Sequence, residues 1–312
     1  MKKLLILGVS GLLGSNLALE AAERDHELLG LSRSQALPGA SFPVQQLDLE
    51  QAGAARKLLE GSQPDAVLNC TALASLEACE RDPQRAQRLN VQLPRELARA
   101  CRDMGITLQQ ISTDAVFDGQ RGNYAESDPV NPLSVYASTK WEGEEAVRSE
   151  YPQASIARVN FFGWSLSAER SLAEFFYNNL VAGQKMKGLV DRFFNPLHVT
   201  HLAQLLLQML ERGLSGTYHV ASPLSMSKYE FGVAIAQRFG LDEGLIAEAK
   251  SADLGYEAAR SPNLTISVHK LTQALDRELP DVHAGIDLLH QQHRSGYPQR
   301  LRAMAERQKE EA

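Results

Sequence analysis

The hydrophobic positions of this chain follow two alternating patterns. Lys3-Leu4-Leu5-Ile6-Leu7 is a continuous apolar run stopped by Gly8, as expected of a strand covered on both faces of a parallel sheet. Helical spacing then predicts a helix over 12–23. Similar short apolar runs recur at 26–31, 66–69, 107–112 and 155–159, and longer stretches with helical spacing separate them. This alternation predicts an α/β fold built on a doubly wound parallel sheet of the Rossmann type.

Beyond Gly163 the alternation weakens. A helical stretch over 171–181 leads to an apolar patch over 186–190, helical periodicity returns over 200–211, and Thr217-Tyr218-His219-Val220 reads as a returning strand. The chain is expected to divide into a sheet lobe, 1–163 completed by 188–222, and a smaller interleaved C-terminal lobe of 164–187 and 223–312. The charged tail 306–312 lacks an apolar face and is expected to fray.

Composition narrows the function classes. With 44% hydrophobic and 22% charged residues and a net charge of −6, the chain reads as a globular protein without the basic footprint of a nucleic-acid binder. The apolar run 4–7 is too short for a signal sequence or a membrane span. Cys70, Cys79 and Cys101 form no CxxC pair and no even framework, so they read as packing residues in a reducing compartment, which points to the cytoplasm.

The first strand is followed by Gly8-Val9-Ser10-Gly11-Leu12-Leu13-Gly14. Three glycines at this spacing, opening a helix, suit a dinucleotide pyrophosphate: the first permits the turn, the second lets backbone approach the anion, and the third allows close helix packing. N–H groups at the helix start would face the phosphates. After the second strand the chain reads Gly30-Leu31-Ser32-Arg33-Ser34, with a cation where an NAD enzyme usually carries an acid. Arg33, with Ser32 or Ser34, suits the 2′-phosphate of NADPH and argues against NADH or a retained NAD. Asp48, beside Leu49, is a candidate for the adenine amino group.

Candidate chemistry follows in the middle of the chain. Tyr136 and Lys140 lie four residues apart and would share a helix face. A nearby ammonium would lower the phenol pKa and ease proton delivery to a carbonyl oxygen. Upstream, Ser112 and Thr113 end a strand at the carboxyl edge of the sheet, where such folds bind ligands, and either hydroxyl could hold a substrate carbonyl.

In their order and separation these pieces resemble the extended short-chain dehydrogenase/reductase family, most closely its dTDP-4-dehydrorhamnose reductase branch, over nearly the whole chain. The resemblance rests on Gly8, Gly11 and Gly14, on Asn69-Cys70-Thr71-Ala72, on Leu89-Asn90-Val91, on the segment Ser112 to Gly119, and on Pro132 to Tyr136 followed by Lys140. It implies catalytic roles for Thr113, Tyr136 and Lys140, and cofactor contacts from Ser10, Leu12, Leu13, Cys70, Thr71 and Ala72 with the glycines and from Tyr136 and Lys140, the latter holding the nicotinamide ribose. Asn90 would steady the site, Asn160 and Phe161 would lie beside the nicotinamide, and Arg260 would meet a sugar-nucleotide diphosphate, with Lys185, Lys187 and Arg192 as alternatives. The implied activity is NADPH-dependent reduction of a nucleotide-linked 4-keto-deoxysugar, in a protein that could form a homodimer.

Other chemistries fit less well. Thr113-Asp114-Ala115 lacks the Asp-Glu pair of related dehydratases, and Arg33 disfavours an epimerase with retained NAD. A non-catalytic subunit resembling the β subunit of methionine adenosyltransferase stays open. His198 with His201, and His290 with His293, have no obvious third ligand and read as helix-surface residues, not a metal site.

Overall fold

The computed structural model describes residues 2–24, 26–34, 36–253 and 261–306. Arg260 and the tail 307–312 lie outside them. The first six strands in chain order are β1 (Lys3–Leu7), β2 (Glu27–Ser32), β3 (Val44–Gln46), β4 (Ala66–Asn69), β5 (Thr107–Thr113) and β6 (Ser155–Val159). With the later strand Gly216–Val220 they make a seven-stranded sheet in the order Gly216–Val220, β6, β5, β4, β1, β2, β3, and every pairing is parallel. This is the doubly wound sheet expected from the apolar runs.

Burial on both faces explains why β1 is apolar throughout. Leu4 and Ile6 pack into a core with Leu17 of the helix Leu12–Ala22 and Leu206 of the helix Val199–Glu211. Leu5 and Leu7 point the other way, into a core with Leu58, Leu97 and Val147 from three further helices. A period of two along the strand thus becomes two separate cores.

The strand order reverses between β1 and β4, which opens a crevice beyond their carboxyl ends, where the loops starting at Gly8 and Cys70 face each other. The edge strand β3, Val44-Gln45-Gln46, had no periodic signal in the sequence because its residues are half-buried or exposed.

The later chain adds short pairings. Met186–Leu189 pairs in parallel with Ile246–Ala249, Phe193–Phe194 runs antiparallel to Met226–Ser227, and Leu197–His198 pairs in parallel with Phe161–Phe162. Two helices here start in reciprocal caps, Ser171 with Glu174 and Ser227 with Glu230. Among the described residues no helix is long and apolar enough to cross a membrane.

The helix Val135–Glu150 carries Tyr136 and Lys140. It starts at Ser134, whose hydroxyl accepts from the Ala137 N–H at 3.2 Å. It packs so closely on the wide turn Arg88–Gln92 that a Cβ at Gly143 would stand 2.0 Å from the Asn90 carbonyl oxygen. Gly143→Ala must push the two elements apart, and we expect it to destabilise the fold by about 1–3 kcal/mol. Urea unfolding checks this, and an unchanged midpoint would contradict the described packing.

Candidate active site

The turn after β1 is shaped by backbone contacts that side chains could not enter. Gly8 adopts φ +84°, and a Cβ at Gly14 would lie 2.2 Å from the Gly8 carbonyl oxygen. The third glycine therefore seats the helix on the turn itself. Gly11 caps the helix with no side-chain bond, and no acidic residue lies in the first turn, which leaves N–H donors and a favourable dipole for an anion.

Around this turn lies a cleft of about 340 Å³ lined by Gly8, Ser10, Gly11, Ser32, Arg33, Ser34, Asp48, Leu49, Cys70, Thr71 and Ala72, among others. These elements come from the ends of β1, β2 and β4 and from the loop after β3. Leu12 and Leu13 do not line it: Leu13 is buried in the core, so only backbone from the first turn can face a ligand.

Three charged residues not foreseen from sequence stand with Arg33. Arg85 and Arg170 line the cleft, and Glu50 accepts from Arg33 at 3.2 Å and from Arg85 at 2.7 Å. The Arg85 bond holds the Glu50 carboxyl below its ordinary range. Arg170 donates to the Ser10 carbonyl at 3.3 Å, from a loop far along the chain. No local spacing could have signalled that contact.

A second cavity of about 220 Å³ brings together Thr113, Asp114, Tyr136, Asn160, Arg192, Phe193 and Lys228, among others. Thr113 donates to Asp114 at 3.2 Å and accepts from the Ala115 N–H at 3.2 Å. Asn160, expected beside the cofactor, lines this cavity and donates to Asp114 at 2.6 Å. Phe161 lines neither cavity, because it packs against the core beside the strand pair with Leu197–His198. Arg260 is outside the described residues, and its neighbour Ser261 lines the second cavity.

Electrostatics correct one expectation about the phenol. Burial pushes Tyr136 up to about 12, hydrogen bonding with Thr113 pulls it back, and the charges of Asp114 and Cys79 raise it further. Lys140, whose own pKa lies well below that of the phenol, is not among the groups that shift it. Its ammonium is turned to the Ile111 carbonyl at 2.6 Å, buried under the helix, where desolvation brings its pKa down to about 8. Asn90 steadies this helix from below: its side chain donates to Thr139 at 3.1 Å and holds Leu73 through both backbone groups.

Asp114 is a further titratable group in the cavity, and its role was not read from sequence. Burial pushes it up to about 6, against hydrogen bonds from Asn160 and Thr113 and the charge of Lys228. Burial also raises the thiols, Cys70 and Cys101 to about 12 and Cys79 to about 11. The histidines differ from the surface reading: His198 is fully buried and caps a helix by accepting from the Thr200 N–H at 3.2 Å. His293 is half-buried, within hydrogen-bond reach of the Tyr177 hydroxyl at 2.7 Å.

A glycine turn at the strand-order switch, with hydroxyl and phenol at the end of β5 and on the next long helix, defines the extended short-chain dehydrogenases/reductases, a class of NAD(P)-dependent oxidoreductases. Within that class the chain belongs to the family described as the RmlD substrate binding domain, which matches residues 1–294. It is 32% identical over 279 residues to a probable low-salt glycan biosynthesis reductase of Haloferax volcanii, covering 88% of this chain and 93% of the relative. It is 30% identical over 249 residues to the methionine adenosyltransferase 2 subunit beta of Bos taurus, covering 77% and 73%. A solved dTDP-4-dehydrorhamnose reductase of Clostridium acetobutylicum superposes with a TM-score of 0.83 at 25% identity, over 94% of this chain and 99% of that one.

The raised Asp114 pKa yields a signed prediction. Because it lies near 6 in the fold against an ordinary 3.8, this acid favours folding below about pH 4 and loses that advantage as pH rises through 6. Between pH 4 and 7 the native protein should lose up to about 3 kcal/mol relative to Asp114→Asn. Urea unfolding across that range measures the difference, and a flat difference would contradict the desolvated carboxyl.

Proposed function

We propose that the protein is an NADPH-dependent reductase of a nucleotide-diphosphate-linked 4-keto-deoxysugar, with Tyr136 as proton donor. The observation that carries this reading is the meeting of the Thr113 and Tyr136 hydroxyls in a cavity also lined by Arg192 and Lys228. Two hydroxyls suit a carbonyl oxygen, and two cations suit a diphosphate. The reductase names of two of its relatives support it.

In this reading the sheet lobe, 1–163 with 188–222, takes the dinucleotide and the smaller lobe, 164–187 with 223–312, takes the sugar nucleotide. The turn at Gly8, Gly11 and Gly14 suits a pyrophosphate because its tight backbone packing leaves no room for a Cβ at these positions and brings backbone N–H groups to the cleft. Arg33, with half its side chain exposed at the cleft, is the candidate for the 2′-phosphate, and Arg85 is a second cation within reach of it. When bound, the dinucleotide supplies a hydride to the carbonyl carbon. Thr113 orients the carbonyl oxygen, Tyr136 gives it a proton, and Lys140 supplies positive charge beneath the phenol. Asn160 and Asp114 hold Thr113 in place.

The similarity to methionine adenosyltransferase 2 subunit beta favours a second reading, a regulatory subunit that keeps the site without using it. A panel of keto-sugar nucleotides, read by NADPH absorbance with mass analysis of co-purified ligand, separates the two. NADPH oxidation that depends on a keto sugar supports the reductase. Inertness across the panel, with a stable complex to another enzyme, supports the subunit.

Two substitutions sharpen the test. Tyr136→Phe should cut turnover at least about 100-fold while NADPH still binds, since only the proton source is lost; full activity would refute the assignment. Arg33→Ala should erase most of the preference for NADPH over NADH, and an unchanged ratio in steady-state kinetics would remove Arg33 from that role.

A further inference from the structure

Beneath the proposed site a carboxylate with no part in the chemistry so far is completely enclosed. Glu144 follows Lys140 by one helical turn, as Lys140 follows Tyr136, so the three share one helix face. Its side chain is 0% exposed and that of its partner Arg158 is 2% exposed. One carboxylate oxygen accepts from the Ser112 hydroxyl at 2.5 Å, and the other accepts from Arg158 Nη2 at 2.8 Å. Arg158 Nε reaches both, at 3.0 and 3.1 Å.

These partners lie on β5 and β6, next to the residues that build the site. Ser112 precedes Thr113, and Ile111, whose carbonyl holds the Lys140 ammonium, precedes Ser112. A lysine buried with one neutral partner would tend to shed its proton. Glu144 supplies the opposing charge and counters the desolvation of Lys140.

We propose that Glu144 is a positioning residue that keeps Lys140 protonated and held against the Ile111 carbonyl, by presenting a buried negative charge one turn away on the same helix face. The groups acting on Lys140 from other elements are Cys70 after β4 and Cys79 on the helix Leu76–Arg81, both thiols held neutral by burial. On its own helix stand Tyr136 and Glu144. Glu144 itself is faced by Ser112, by Arg158 and by Arg148 at 3.7 Å. Behind Arg158, His219 stands at 3.5 Å, and burial lowers it to about 3, so it adds no charge at neutral pH. Arg158 is clamped to that carboxylate from β6, opposite Ser112, and offsets part of its charge.

The inference rests on reading Lys140 as the cation of the site, and its test needs no substrate. Protein labelled with [ε-13C]lysine is titrated by NMR, the Lys140 signal being assigned by its loss in Lys140→Arg. The native midpoint should lie near 8. In Glu144→Gln, which keeps the size and one accepting oxygen but not the charge, it should fall by about one pH unit or more, and Glu144→Asp should recover much of the loss. If Glu144→Gln does not fold, the uncharged double variant Glu144→Gln/Arg158→Gln removes the orphaned arginine, and a smaller fall in the same direction is expected in it, since losing the Arg158 cation offsets part of the effect. An unchanged midpoint in whichever variant folds overturns the proposal. Failure of the keto-sugar assay leaves this titration unaffected, so the two readings fail separately.

Discussion

A buried ion pair joins the parts of this site. Glu144 and Arg158 tie the helix that carries Tyr136 and Lys140 to β5 and β6, and through Ser112 to the strand end that carries Thr113. Burying two charges costs several kcal/mol per ion unless their hydrogen bonds are met, and here the carboxylate has a hydroxyl and a bidentate guanidinium. Arg158 also lies 5.1 Å from the ring centroid of Phe117 and 5.6 Å from that of Trp141. Such a pair adds little net stability against an apolar replacement, but it fixes the register of helix against sheet on which the meeting of two hydroxyls depends.

The same helix is pressed from its other side by the turn Arg88–Gln92, where Gly143 lets Asn90 approach. Asn90 reaches Thr139 on the helix and Leu73 in the loop after β4. That loop begins with Cys70, Thr71 and Ala72 along the dinucleotide cleft. Packing thus links cleft and cavity through one helix: its position sets where the phenol stands, and the loop it braces sets one wall of the cleft. Lys140, buried between these elements, is where the two regions meet electrostatically, since its charge acts on Cys70.

Much of the fold was legible because buried parallel strands are mainly apolar on both faces, as β1 and most of β4 are; β6 was legible despite burying Ser155 and Arg158 among its apolar residues. The short strand β3 was not, since Gln45 and Gln46 face outward at the sheet edge. The glycine turn was legible from spacing, though its third glycine meets the Gly8 carbonyl instead of simply easing helix-to-strand packing. Tyr136 and Thr113 do face one cavity, but the ammonium four residues on turns away from the phenol to a backbone carbonyl, which helix spacing cannot reveal. Arg85 and Arg170 reach the cleft through long-range folding, and Glu50 pairs with Arg33 and Arg85 at its edge. Glu144 had a local signal, the continuation of the Tyr136-Lys140 spacing by one more turn, and its meaning emerged only with Arg158 and Ser112 beside it.

In the proposed reaction a hydride reaches a sugar carbonyl at this site while the phenol supplies the proton. Incubating the protein with NADPH deuterated at the transferable position of its nicotinamide, together with dTDP-linked 4-keto-6-deoxyhexose, tests it most directly by mass spectrometry of the sugar. The account predicts a product carrying one deuterium on the former carbonyl carbon. A sugar recovered unreduced, or reduced without the label, would contradict it.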